Sequence, residues 1–258
     1  MKITLLGTGT SSGIPQVMCT CEVCRSADPR DRRMRSAAMI TTSGGSTLLI
    51  DAGPDLLHQL VRAGAPERID GVLLTHSHYD HVAGLDELRP YARPYEHGVP
   101  LYCSADVARD LRARIPYAFH PVPIPGLPHF DMREIEAGHP FTAGDAEITP
   151  LRVMHGKLPI MGFRIGGFGY VTDCKTLPEE SMEMLRGLDT LVINALRHTP
   201  HPTHMNLKQA IDVITEVAPR RALLTHMSHG MGLHDFASRL LPEGIELAYD
   251  GQTLHISE

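Results

Sequence analysis

The stretch Thr-His-Ser-His-Tyr-Asp-His at positions 75–81 constrains this chain more than any other feature. It closes the apolar run GVLLT (71–75), which reads as a strand. His76, His78, Asp80 and His81 put four metal-ligating side chains within six positions. Side chains alternate faces along a strand, so His76 and His78 are expected to point the same way and share one cation. Asp80 and His81 follow where the chain turns and can face a second cation beside the first. Neutral imidazole and carboxylate suit zinc and other first-row cations. A polar surface turn is the alternative reading, and it leaves four such residues at one strand end unexplained.

Apolar runs and turn signals alternate through the rest of the chain. Strands are predicted at 2–7, 46–51, 71–75, 100–104, 146–154, 162–166, 169–173, 190–195, 221–226 and 245–250. These runs are short, rich in Val, Ile and Leu, and bounded by Gly, Pro or Asp. Helices are predicted at 55–64, 104–115, 179–188, 206–218 and 234–241 from apolar spacing of three and four, with Ser104 and Asn206 as N-caps. Five prolines between Ile115 and Phe130 exclude a helix or a central strand there, so this stretch is read as a long ordered loop or lid. The pattern suggests sheets covered by helices, an α/β (α+β) class, in one domain over 1–258.

Composition narrows the function classes. Of the 258 residues, 42% are hydrophobic and 21% charged, which suits a folded soluble protein. No apolar run reaches the roughly 18–20 residues that cross a bilayer, and the N-terminus lacks a signal-peptide core, so no membrane partner and a cytoplasmic location are expected. Net charge is −6, whereas a protein living on nucleic-acid phosphates shows a basic excess. Nucleic acid is therefore not expected as a partner, and a homodimer is left open. The arginines at 30, 32, 33 and 35 are read as a solvated face in preference to an anion trap. Gly7–Gly13 lacks the lysine of a nucleotide phosphate loop, so its glycines are assigned to a tight turn under the site.

The H-x-H-x-D-H signature resembles that of the metallo-β-lactamase superfamily of binuclear hydrolases. The later motifs of that superfamily recur in order at strand ends: LIDAG (49–53), His155 after 146–154, Asp173 after GYVT, and His226 after RALLT. The resemblance implies a four-layer αββα sandwich. It implies that His76, His78 and His155 hold one metal and Asp80, His81 and His226 a second. Asp173 bridges them with a water or hydroxide, and Asp51 supports the ligands. Asp80 is counted with the catalytic residues as well. The donor set does not choose between zinc, manganese and iron.

A second cluster, Cys19-Thr-Cys21-Glu-Val-Cys24, gives three thiols in six residues. A structural zinc needs a fourth ligand, and His229 is proposed; three free thiols are the alternative. Cys103 and Cys174 are read as core residues. GTGTSSGIP followed by this cluster resembles the branch that contains the phosphoribosyl cyclic phosphate phosphodiesterase. That branch implies an extra structural zinc on Cys19, Cys21, Cys24 and His229, and a histidine acting on the phosphate. His204 in HTPHPTHMN is the best match, with His198 and His201 weaker.

The expected activity is a metal-dependent hydrolysis of a small phosphodiester, with ribose cyclic phosphates favoured. His204 would bind a phosphoryl oxygen or protonate the leaving alkoxide. The alternatives on the same scaffold are a thioesterase or lactonase, a tRNA 3′-processing nuclease, a cofactor-biosynthesis relative that also carries a cysteine cluster, and a metal-bearing binding module.

Overall fold

The structure is a computed structural model that describes residues 1–92 and 98–256. In chain order the strands are β1 (Lys2–Gly7), β2 (Ala37–Thr41), β3 (Thr47–Ile50), β4 (Gly71–Leu73), β5 (Val99–Cys103), β6 (Phe130–Glu134), β7 (Phe141–Ala143), β8 (Ala146–His155), β9 (Leu158–Ile165), β10 (Phe168–Val171), β11 (Thr190–Asn194), β12 (Arg221–Thr225), β13 (Ile245–Leu247) and β14 (Thr253–His255). The helices are α1 (Glu22–Arg25), α2 (Leu56–Ala63), α3 (Tyr79–Val82), α4 (Ala105–Arg114), α5 (Glu179–Met184), α6 (Leu207–Val217) and α7 (His234–Ser238).

Among the described residues the strands form two seven-stranded sheets, ordered β14-β1-β2-β3-β4-β5-β6 and β13-β12-β11-β10-β9-β8-β7. Each sheet is half antiparallel and half parallel: β3 through β6 run parallel in one, β10 through β13 in the other. Parallel ladders are covered on both faces, which is why β3, β4, β10 and β11 are buried at every residue. Between the sheets lies a core containing Ile3, Ile40 and Ile50 from one side and Phe163, Tyr170 and Val192 from the other. Two outer cores seat the helices, one around Leu56, Leu60 and Leu111, the other around Met182, Ile214 and Val217. The result is the expected four-layer αββα sandwich.

The helix signals act as read. Asn206 accepts from the Gln209 amide while the Gln209 side chain accepts from the Asn206 amide, a reciprocal cap that starts α6. Ser104 accepts from Val107 N at the start of α4. Strands β2, β6, β7 and β14 were not predicted; β7 and β14 have three residues each, and β6 is an edge strand carrying Asp131, Arg133 and Glu134.

Three expectations need correction. The strand at 71–75 stops at Leu73, because the Asp51 carboxylate takes the Thr75 amide at 2.9 Å and draws the chain out of the ladder. His76 and His78 therefore lie in a loop, and strand alternation does not set their direction. The proline-rich stretch begins with a 3₁₀ turn, Pro116–Phe119, where Pro116 sits at a first-turn position that needs no amide donor. The arginine run is not a solvated face. Arg33 is 5% exposed and donates to Thr8 Oγ1 and Ala248 O, Arg35 pairs with Asp55, and Arg30 bridges Asp28 and Asp235. These arginines tie loops together, while Arg32 remains exposed.

Candidate metal centre

The site forms where parallel strands end. Asp51 follows β3, Asp173 stands two residues past β10, and His226 follows β12. All three take left-handed backbone conformations, with φ of 63°, 54° and 54°. Non-glycine residues seldom adopt this region, and such strain concentrates at functional sites. The loop after β4 brings His76 and His78, and α3 presents Asp80 and His81. Helix α3 can lie this close because position 53 is glycine: a Cβ there would meet Asp80 O at 2.1 Å. Gly7 and Gly9 act similarly, by close approach to the chain at Arg33–Arg35 more than by turning. In the turn they precede, Gly13 has positive φ.

The sequence-predicted ligands converge. Donor atoms of His76, His78 and His155 lie within 4.8 Å of one another, as do those of Asp80, His81, Asp173 and His226. Asp173 joins the groups: its Oδ2 is 3.3 Å from His81 Nε2, and its Oδ1 is 3.2 Å from His226 Nε2. His204 also enters, with Nε2 3.0 Å from Asp173 Oδ1 and its ring stacked on His226. His155, Asp173 and His204 form a further group of three within the same limit. His201 touches His204, Nδ1 to Nδ1 at 3.1 Å, whereas His198 turns away and donates to Met231 O. The centre is buried except at His78, which faces solvent, and at the half-buried His204 and His201.

Partners behind the rings fix their orientation. His81 Nδ1 is 2.7 Å from Asp51 Oδ2, and His155 Nδ1 donates to Thr203 O at 2.9 Å. Thr75 Oγ1 stands 3.0 Å from His76 Nδ1, and Ser36 Oγ 3.2 Å from His226 Nδ1. Thr75, Ser36 and Thr203 were not singled out in the sequence. Thr75 borders the motif, but nothing in the chain marks Ser36 or a backbone carbonyl.

Charge follows from this crowding. Burial holds His76 well below the ordinary imidazole range, with His81 adding to the effect, and it also lowers His78. Burial pushes His226 down to about 4. Burial opposes charge on His81, yet Asp173 and Asp51 outweigh it and hold His81 well above the ordinary range. Burial likewise opposes ionisation of Asp173, and the facing His226 and His81 overcome it. Burial raises Asp51.

The donor set fits divalent cations. His81 Nε2 is buried and makes no hydrogen bond, although carboxylates of Asp80 and Asp173 lie 3.1 and 3.3 Å away. An orphaned imidazole nitrogen among carboxylates is what a metal site needs.

The cysteine cluster also assembles. Sγ of Cys19 and of Cys21 each lie 3.2 Å from His229 Nδ1, and all four donor atoms, Cys24 included, fall within 4.8 Å. Cys21 stands just before α1, and the Cys24 backbone together with His229 brings its thiol down to about 6. Burial drives Cys24 up to about 11. Two thiols of this set are half-buried, and four N/S donors in one cluster suit zinc. Cys103 and Cys174 are buried in the outer cores, as expected.

Comparison with known proteins agrees. Residues 46–227 match the sequence model of the family described as the β-lactamase superfamily domain. The chain is 40% identical, over its whole length, to an octanoyltransferase of Porphyromonas gingivalis, of which the match covers 52%. It thus spans about half the length of that curated relative. It is 30% identical to coenzyme PQQ synthesis protein B of Methylobacterium nodulans, over 75% of this chain and 72% of that one. A crystal structure described as a new diphosphatase from the PhnP family superposes with a TM-score of 0.90 at 39% identity, covering 98% of this chain and 96% of that one. With its ordered ligands at strand ends and its paired mixed sheets, the chain belongs to the β-lactamase superfamily domain family, within the metallo-β-lactamase superfamily of metal-dependent hydrolases, and resembles the PhnP branch.

Proposed function

We propose that this chain is a cytoplasmic, binuclear metal-dependent phosphodiesterase acting on a small phosphodiester, with ribose cyclic phosphates favoured. His76, His78 and His155 would hold one cation, Asp80, His81 and His226 the other, and Asp173 would serve both. The observation that carries the reading is His204, whose Nε2 sits 3.0 Å from Asp173 Oδ1 inside the cluster. A carboxylic-ester hydrolase has no evident use for that imidazole.

Zinc, manganese or iron would suit the nitrogen and oxygen donors. Bound cations supply an activated water and stabilise charge on phosphoryl oxygens. The chain's own residues do the rest. Asp51 and Thr203 O orient His81 and His155. The exposed His78 marks the open side for the substrate. His204 is placed to bind a phosphoryl oxygen or to give the leaving alkoxide a proton. Cys19, Cys21, Cys24 and His229 would hold a separate structural zinc.

The partner proposed is a small molecule, not nucleic acid, since the chain carries a net charge of −6. Among the described residues no helix is long and apolar enough to cross a membrane. The relative described as a diphosphatase, aligned over nearly its whole length, favours a second reading: cleavage of a P–O–P link by the same attack on phosphorus. The octanoyltransferase name belongs to a protein about twice as long and supports no acyl transfer here.

The deciding experiment is a substrate screen with metal-reconstituted protein. Its arms are ribose and nucleoside cyclic phosphates, bis(p-nitrophenyl) phosphate, diphosphates, precursor tRNA, and a panel of thioesters and lactones. Cleavage of small cyclic phosphates supports the first reading and cleavage of diphosphates the second. Turnover confined to thioesters, lactones or tRNA refutes both.

A further inference from the structure

We propose that two hydroxyl groups, on Ser36 and Thr75, are positioning residues that set which ring nitrogen of His226 and of His76 faces the metals. The inference rests on the binuclear reading and concerns one ring at each proposed cation. A neutral imidazole carries one proton, so the partner of one nitrogen decides whether the other keeps a lone pair for metal. At His81 and His155 a carboxylate and a backbone carbonyl make that choice, because neither can donate. At His226 and His76 the partner is a hydroxyl, which can either donate or accept. The choice must then come from what the hydroxyl itself bonds.

In both places the hydroxyl's single proton is already engaged. Ser36 Oγ donates to Gly9 O at 3.0 Å, and this leaves a lone pair for His226 Nδ1 at 3.2 Å. His226 Nδ1 is therefore the protonated nitrogen, and Nε2 presents its lone pair toward Asp173. Thr10 Oγ1 lies 3.1 Å from Nε2 and can donate to it. Thr75 Oγ1 donates to the Asp51 carboxylate, 2.9 and 3.0 Å from its two oxygens, and so accepts from His76 Nδ1 at 3.0 Å. His76 Nε2 then turns its lone pair toward the His78 ring, 2.9 Å away. Ser36, Thr10, Thr75 and the His226 and His76 rings are buried, and water does not offer a substitute partner readily. Asp51 thus orients His81 directly and His76 through Thr75, reaching both proposed cations.

The test compares Ser36→Ala, Thr75→Val and the conservative Thr75→Ser by elemental analysis after dialysis against graded chelator. Thermal unfolding of the metal-free proteins checks that each variant folds. Ser36→Ala and Thr75→Val should each retain an active-site metal 10–100-fold more weakly than wild type. Thr75→Ser, which keeps the hydroxyl, should restore wild-type retention. Adding Ser36→Ala to His226→Ala should cause no further loss, because both act through one ring, whereas Thr75→Val should add to His226→Ala. Wild-type retention in Ser36→Ala and Thr75→Val, or equal losses in Thr75→Ser and Thr75→Val, overturns the relay and leaves the binuclear reading standing. A wild-type chain that takes up no metal at the His/Asp cluster overturns both.

Discussion

Asp173 is the residue on which the centre turns. Its two oxygens lie within 3.3 Å of nitrogens on His81, His204 and His226. Asp173→Ala should abolish turnover and reduce both active-site metals, read by elemental analysis; retained turnover with full metal content removes its shared role. His204 is the nearest of the three, 3.0 Å from Asp173 Oδ1, and is the one not assigned to a cation. If it protonates the leaving group, His204→Ala should lower kcat by roughly 10²–10⁴ for a poor alkoxide leaving group and far less for p-nitrophenolate. Equal losses on both substrates would leave it a phosphate-binding residue. The residues that cluster here were legible in the sequence because each is an ionisable side chain at the end of an apolar run. Their supports were not. Ser36 and Thr203 act through a hydroxyl and a carbonyl, groups that every surface loop also carries.

At the scale of elements, legibility followed length and burial. The parallel strands β3, β4, β11 and β12 announce themselves as aliphatic runs, since both faces are covered. β2 is Ala-Ala-Met-Ile-Thr, too weak in strand-forming residues to stand out, and it is recruited by pairing with β1 and β3. The strand before His76 and His78 was read too long for a related reason: a side chain, Asp51, outcompetes the ladder for the Thr75 amide, although the two rings still converge. The cysteine loop is the element most open to test. Cys21→Ser should lower metal content from three per chain to two and reduce the thermal midpoint, because a structural zinc contributes directly to folding. Two metals in wild type and no change in the variant would remove the structural zinc.

The whole molecule couples these sites to acid. With metals stripped, His226 titrates near 4 in the folded chain and near 6.5 once exposed. As pH falls the unfolded chain takes up this proton first, so stability present above 6.5 is lost as pH descends toward 4. At about 1.4 kcal/mol per pH unit, His226 alone accounts for up to about 3 kcal/mol. His76 and His78 act in the same direction, and His81, whose range is raised, opposes them. The melting temperature of chelator-treated protein should therefore drop between pH 7 and pH 5, and less steeply in His226→Asn. A flat profile would show that the buried rings do not govern acid stability.

The ligands of each proposed cation come from both sheets. His76, His78, Asp80 and His81 follow β4, while His155, Asp173 and His226 leave strands of the other sheet. Any ion held there would be a rivet through the seam between two slabs that otherwise meet through side-chain packing and a few hydrogen bonds, such as Met161 N to Thr75 O. Shear between the slabs, as in single-molecule pulling, should meet a rupture event in loaded protein that vanishes on chelation. Such a rivet would tie catalysis to cohesion: a chain loose enough to let its sheets slide would already have lost any ion held between them.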